Sequence, residues 1–97
     1  MDTLIRHQAR LIILKSLVAQ KDETLNSDLL AHELRPFGIR KDRAWINGEL
    51  AYLKEMGAIK LFEAGSVQVA TLTDLGHRHV LREVEIEGVQ RPSRPVS

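Results

Sequence analysis

Four basic side chains and one carboxamide between residues 40 and 54 have the chemistry that contacts with nucleic acid require. Guanidinium groups, as at Arg40 and Arg43, form paired hydrogen bonds with guanine edges or with phosphate oxygens. Lysine ammonium groups attract phosphates, and a carboxamide matches the edge of adenine. We therefore expect Arg40, Lys41, Arg43 and Asn47 to contact double-stranded DNA, with Lys54 on its phosphates.

These residues are predicted to belong to one helix, about residues 41–56, whose faces can be assigned at about 100° per residue. The face centred on Ile46 also carries Leu50 and Leu53 and is expected to be buried. The flank roughly 60–120° from that centre carries Arg40, Arg43, Asn47 and Lys54. Small residues, which permit a close approach to a groove, form the stripe opposite the core: Ala44, Gly48 and Ala51.

Several features of the same region favour a different partner. The flank opposite the basic one carries Trp45, Tyr52 and Met56. Such side chains more often pack on a core or on a protein partner than stack on bases. Exposed charged flanks of helices are commonly only solvated, and Glu49 and Glu55 reduce the positive charge of this one. Residues 63–66, at the tip of the expected hairpin, include no Arg or Lys that could enter a minor groove. A protein-interaction or assembly adaptor is therefore the alternative to a DNA-binding protein.

The remaining polar residues form no recognisable catalytic or metal-binding pattern. His77 and His79 would project about 200° apart on a helix, so they cannot hold one ion together. The chain has no cysteine, which excludes disulfides, a thiolate nucleophile and cysteine-based zinc sites. No phosphate-binding glycine loop, nucleophile elbow or His-Glu-x-x-His helix is present. The sequence therefore predicts no enzymatic activity and no cofactor, metal or small-molecule ligand.

The basic helix is expected to be the third of four helices. An amphipathic helix is predicted over about 2–20, followed by a helix that begins at Asn26-Ser27 and is ended by Pro36 and Gly38. The basic helix then ends at Gly57. Strands are predicted over 58–63 and 67–72, and Thr73 caps the last helix. This order predicts an α+β, mainly α, winged helix-turn-helix fold with a three-helix core, a two-stranded β-hairpin wing and a C-terminal helix.

The end of the chain is predicted to carry little regular structure. Residues 83–87 alternate acidic and aliphatic side chains, which indicates either an edge strand or an extension of the last helix. Two Arg-Pro pairs follow, and the proline rings prevent a regular element from forming there. We therefore expect the winged helix-turn-helix domain to span residues 1–88 and a flexible Arg/Pro tail to span 89–97.

The composition is that of a small globular domain. The chain has 97 residues, 43% of them apolar, and a net charge of +1, so the bulk charge neither supports nor opposes binding to nucleic acid. The longest wholly apolar run near the N-terminus is Leu11 to Leu14, which is far shorter than a membrane span or the core of a signal peptide. We therefore expect a cytoplasmic protein without a membrane partner.

Two sequence blocks resemble winged-helix regulators of the ArsR, MarR and PadR kind. They are Glu49-Leu50-x-x-Leu53-x-x-x-Gly57-x-Ile59 and Leu72-Thr73-Asp74-x-Gly76. Over nearly its whole length, including residues 88–92, the chain is similar to small winged-helix proteins of Mu-like phages and prophages. The resemblance implies a phage or bacterial transcriptional regulator that binds DNA, or alternatively a phage DNA-packaging or assembly adaptor. The cysteine pair of metal-responsive ArsR sensors has no counterpart here.

A regulator of this kind is also expected to be a homodimer. One short recognition helix reads only half of a typical site, so two protomers are needed for two half-sites. The wide apolar face of the first helix, together with the fourth helix and the tail, is the surface expected to pair the protomers.

Overall fold

The computed structural model describes residues 2–94, which form a mainly helical α+β fold. The helices are α1 (Asp2–Val18), α2 (Ser27–Leu34), α3 (Arg43–Glu55) and α4 (Asp74–Val80). A 3₁₀ turn, Arg35–Phe37, follows α2. The strands are β1 (Thr24–Asn26), β2 (Ile59–Ala64) and β3 (Val67–Leu72). The predicted α+β class and the order of the four helices are confirmed.

Side-chain caps fix the residues at which three of the helices begin. Asn26 and Asp42 each accept a hydrogen bond from a backbone N–H in the first turn, both at 2.9 Å, and Thr73 caps α4 in the same way at 3.2 Å. Because Asp42 is the N-cap of α3 and has an extended backbone, the predicted start of that helix at residue 41 is wrong. Arg40 and Lys41 lie in the loop that precedes α3.

The hairpin of β2 and β3 carries a third strand that the sequence reading missed. The sheet is antiparallel with the order β1-β3-β2, so β3 is its central strand. Leu25 of β1 pairs with Ala70, and Leu61 of β2 pairs with the same residue from the other side. The predicted two-stranded hairpin is thus part of a three-stranded sheet among the described residues. The additional strand stabilises a hairpin that would be marginal by itself.

The helices and the sheet share one apolar core. Its buried side chains include Leu30 and Leu34 from α2, Ile59 and Leu72 from the sheet, and the predicted core face of α3, Ile46, Leu50 and Leu53. From α1 it takes Ala9, Leu11, Ile12, Ile13, Leu14 and Leu17. The expectation that this wide apolar face of α1 pairs two protomers is therefore wrong, because the chain's own core covers it.

The segment after α4 packs back across the fold. Residues 83–87 are neither strand nor helix, so both expectations for them are wrong. Ile86, Val89 and Pro92 are buried, and Gln90 N–H donates to His7 O at 3.1 Å. We call residues 85–92 the C-terminal strap. The predicted tail from residue 89 is thus packed on the fold up to Pro92, whereas residues 95–97 lie outside the described part of the chain.

Candidate nucleic-acid interface

The loop before α3 places two of the predicted contact residues at the surface. Arg40 and Lys41 are both exposed. The Lys41 ammonium lies 5.5 Å from the centroid of the Trp45 ring, where the ring quadrupole attracts the cation. Together with Arg35 and Ala31, these two residues line an open concavity of about 400 Å³. Arg35 was not among the predicted site residues, although the cations at 35, 40 and 41 are close in sequence.

Arg43 begins α3 and extends toward α2. Its Nη2 lies 3.5 Å from Asp28 Oδ1, and the two side chains are 55% and 57% exposed. An ion pair this long and this exposed contributes only about 0–1 kcal/mol, because water screens it and two long side chains lose freedom. A phosphate or a guanine edge could therefore compete with Asp28 for Arg43. The cationic edge formed by Arg40, Lys41 and Arg43 is therefore partly paired with a carboxylate, but it is neither neutralised nor buried.

Asn47 is less well placed than the sequence implies. The residue is half-buried, and among the described residues its Oδ1 atom is shielded from solvent without a hydrogen-bond partner. A paired contact with adenine uses both the oxygen and the nitrogen of the carboxamide. In this orientation the oxygen cannot reach a base edge, so Asn47 would have to rotate its side chain to read one.

Lys54 lies toward the other end of α3, beside the hairpin. It is exposed and lines a shallow groove of about 240 Å³. The same groove is lined by Ala51 of α3 and by Phe62, Glu63 and Gln68 of the hairpin. Lys54 is therefore separated from Arg40 and Lys41 by the length of the helix, and cations lie near both ends of the stripe of small residues.

Glu49, which the sequence suggests would dilute the basic flank, does not reach the surface. It is 2% exposed, and its carboxylate accepts a hydrogen bond from Arg10 Nε at 2.7 Å. Arg6 adds a second, longer contact at 3.5 Å. Arg10 is itself buried and donates to Gly88 O in the strap at 2.8 Å. The one sequence signal of this pair is a charged residue set within the apolar run of α1.

The aromatic flank of α3 is used inside the molecule. The Tyr52 hydroxyl donates a hydrogen bond to Glu87 O at 2.7 Å. The Arg10 guanidinium lies 3.7 Å from the centroid of the Tyr52 ring. Trp45 and Met56 are partly buried and pack against the core. Of the two sequence interpretations, packing within the fold describes Tyr52 better than an open contact with a partner protein.

The two histidines of α4 have separate roles. His79 is 0% exposed, its Nδ1 accepts from Ile86 N–H at 3.1 Å, and its Nε2 lies 2.9 Å from Gln90 O. Both ring nitrogens therefore hold the strap, with Nε2 carrying the proton that the carbonyl accepts. His77 Nδ1 lies 3.9 Å from Glu23 Oε2 near β1. Within residues 2–94, no three His, Cys, Asp or Glu side chains are grouped to hold a metal ion.

The helices of residues 2–94 are all too short or too polar to cross a membrane.

Comparison with known proteins gives one informative similarity, which concerns the fold. No model of a protein family matches the chain, and no curated protein is significantly similar to it. The solved complex structure of hsRosR-S1 is similar to it, with a TM-score of 0.65 and 17% sequence identity. The match covers 76% of this chain and 65% of that one, so the chain spans less than two thirds of hsRosR-S1. At this identity the similarity shows a shared fold alone.

Proposed function

We propose that this chain is a winged helix-turn-helix protein that binds double-stranded DNA, with α3 as the recognition helix and the β2–β3 hairpin as the wing. The observation that carries the proposal is the outward position of the cationic edge formed by Arg40, Lys41 and Arg43. All three side chains are exposed, and their one ion pair in the described structure is the weak contact of Arg43 with Asp28. Such an edge is available to a polyanion.

The exposed face of α3 fits the same partner. Ala44, Gly48 and Ala51 are all exposed, and no atom outside the adjoining residues and backbone of α3 lies within 4 Å of the position that a Cβ of Gly48 would occupy. A helix whose exposed face carries only small side chains can lie deep in a major groove, with the cations at its N-terminal end close to the bases. The hairpin gives less support to binding in a groove of DNA, because its tip carries Glu63 and no basic residue. We therefore assign specificity to α3 and the loop before it.

We also propose a broader role for the chain. The resemblance of its two sequence blocks to winged-helix regulators supports a regulatory function, and the similarity to proteins of Mu-like phages supports an origin in a phage or prophage. We propose a homodimer, because one α3 reads only one half-site. The buried face of α1 cannot form its contact, so the interface must lie elsewhere. Light scattering should then give about twice the chain mass of 11.0 kDa.

Fluorescence anisotropy tests DNA binding directly. The wild-type protein should bind a labelled duplex of mixed sequence at low salt, and the double variant Arg40→Ala/Arg43→Ala should bind at least roughly tenfold more weakly, since a lost contact costs about 1–3 kcal/mol. Lys21→Ala/Arg78→Ala removes the same charge from exposed positions on other elements and should bind as the wild type does. Unchanged binding by the Arg40/Arg43 variant contradicts the proposal.

The adaptor alternative makes a different prediction in the same assay. If the domain binds only another protein, neither double variant changes DNA binding, because the wild-type protein has none at low salt. The exposed aromatic side chains Phe37 and Phe62, 57% and 58% accessible, would then be the first surfaces to substitute. Of the surface that the sequence suggested for such a partner, Tyr52 forms an internal hydrogen bond, and Trp45 and Met56 are partly buried against the core.

A further inference from the structure

The basic concavity at the start of α3 collects cations from two separate stretches of backbone. Arg35 opens the 3₁₀ turn after α2, whereas Arg40 and Lys41 lie in the loop before α3. The chain reverses between them at Gly38, whose φ of 78° lies in the left-handed region that favours glycine. Buried Ile39 then anchors the loop to the core. The reversal brings the three cations around one hollow.

Hydrogen bonds hold this reversal in place. Gly38 N–H donates to Arg35 O at 2.9 Å, and Ile39 N–H donates to Leu34 O at 3.3 Å. The backbone that carries Arg35 is therefore fixed relative to the backbone that carries Arg40. A hollow on a fixed frame is prepared for a ligand, since less order has to be imposed when the ligand binds.

The hollow is strongly and locally positive. Arg35, Arg40 and Lys41 make no ion pair within residues 2–94, and the remaining lining residue is Ala31. The nearest carboxylate in sequence, Asp42, accepts the N-cap hydrogen bond of α3. Three cations without a carboxylate in the lining repel one another, and the small side chain of Ala31 leaves the space between them open. A compact anion placed there relieves that repulsion.

We propose that this concavity binds a phosphate group, and that on DNA it is a backbone phosphate beside the groove that α3 enters. The inference rests on the proposed function and extends it by adding Arg35 to the contact surface. Two guanidinium groups bind phosphate oxygens through paired hydrogen bonds, and the lysine adds a point charge. A contact of this kind fixes the register of the protein on the duplex without reading sequence.

The salt dependence of binding tests the assignment of Arg35. A side chain that neutralises one phosphate contributes roughly 0.9 to the slope of log affinity against log salt concentration. Arg35→Gln should therefore lower the slope by roughly 0.9 and weaken binding about equally on all duplex sequences. Arg35→Lys should restore the slope, because it keeps the charge. Lys21→Gln, which removes an exposed charge from the turn after α1, should leave the slope unchanged.

The outcomes separate this inference from the proposed function. If the wild-type protein binds DNA and Arg35→Gln leaves both slope and affinity unchanged, the assignment of the hollow to a backbone phosphate is overturned while the DNA-binding proposal stands. If the wild-type protein shows no salt-dependent binding, both are overturned. Inorganic phosphate, titrated at constant ionic strength and followed by NMR, provides the second arm. A saturable response in the amides of residues 35–41, without any effect of Arg35→Gln on DNA, would assign the hollow to free phosphate and overturn the backbone assignment.

Discussion

Replacing Glu49 by glutamine is expected to destabilise the fold by about 3 kcal/mol, because it leaves the charge of Arg10 buried without a counter-charge. Both side chains lie almost wholly out of solvent, with Glu49 at 2% and Arg10 at 8% exposure, and 2.7 Å separates Arg10 Nε from Glu49 Oε1. Arg6 cannot replace the lost charge, since it is itself a cation. The pair joins α1 to α3, so its loss also loosens the back of the proposed recognition helix.

The expected size of the effect follows from the burial. Removing one partner of a buried ion pair costs about 3–5 kcal/mol, and the lower value applies here because the amide oxygen of glutamine can still accept from Arg10. A chain of this length has a total free energy of unfolding of roughly 5–15 kcal/mol. With a urea slope of about 1.5 kcal/mol per molar, the midpoint of unfolding should fall by about 2 M.

Urea unfolding followed by circular dichroism measures the change. Glu55→Gln is the matched control, since Glu55 is an exposed glutamate of the same helix and its replacement should stay within about 0.5 kcal/mol of the wild type. Arg10→Met combined with Glu49→Leu should recover part of the loss, because apolar side chains of similar size remove the desolvation cost of both charges, whereas Gly88 O loses its donor. A loss below about 1 kcal/mol for Glu49→Gln would refute the reasoning, because the pair would then be solvated.

Three further substitutions have expected outcomes of different kinds. Asp28→Asn should strengthen DNA binding roughly two- to fivefold at low salt in an anisotropy titration, because it removes the carboxylate that competes for Arg43; weaker binding would contradict the placement of that edge against DNA. His79→Ala should lower the free energy of unfolding by about 2–4 kcal/mol and speed amide exchange in the C-terminal strap, because two backbone groups lose their partner. Unchanged exchange would contradict the role of His79 in holding the strap. Gly76→Ala should lower stability by about 1–3 kcal/mol in a thermal melt, because the added Cβ would lie 2.3 Å from Ala58 O and force the backbone apart; a neutral result would mean that α4 and the corner before β2 are not in contact.

Local patterns predicted most of the elements. The three- and four-residue spacing of apolar side chains gave α1 and the buried face of α3, on which Ile46, Leu50 and Leu53 are all buried. Gly57 and Gly65 were correctly placed at a helix end and a hairpin turn, and both have positive φ. These features depend on residues close together in sequence, so their causes can be read from short windows.

Contacts between distant residues account for what the sequence did not show. Strand β1 has only three residues, and it pairs with residues about 45 positions later, as Thr24 does with Thr71. The Arg10–Glu49 pair spans 39 positions, and no local pattern connects the two. The second half of the strap, from residue 89, looked like an unstructured tail because its buried side chains, such as Val89, are few and are separated by polar residues. Each of these features exists only once the helices have packed.

In the candidate site, too, the sequence predicted what depends on neighbouring residues and missed what depends on contacts between distant ones. The sequence placed Arg43 on an exposed flank of α3, where it lies. The sequence did not show that Glu49 turns inward, that Arg35 joins Arg40 at one hollow, or that the oxygen of Asn47 is hidden. Those outcomes depend on the packing of α3 against α1 and α2 and on the reversal between α2 and α3, which a helical projection of a single segment does not contain.

The most direct measurement is an NMR titration of the ¹⁵N-labelled protein with a short duplex at low salt. Every backbone amide then reports whether it lies near DNA. We expect the largest changes to fall on residues 35–48, which form the hollow and the first turns of α3, and we expect them to fade as salt is added. Changes confined to the C-terminal strap, or no changes at all, would contradict the claim that the edge around Arg40 is where this protein meets its partner.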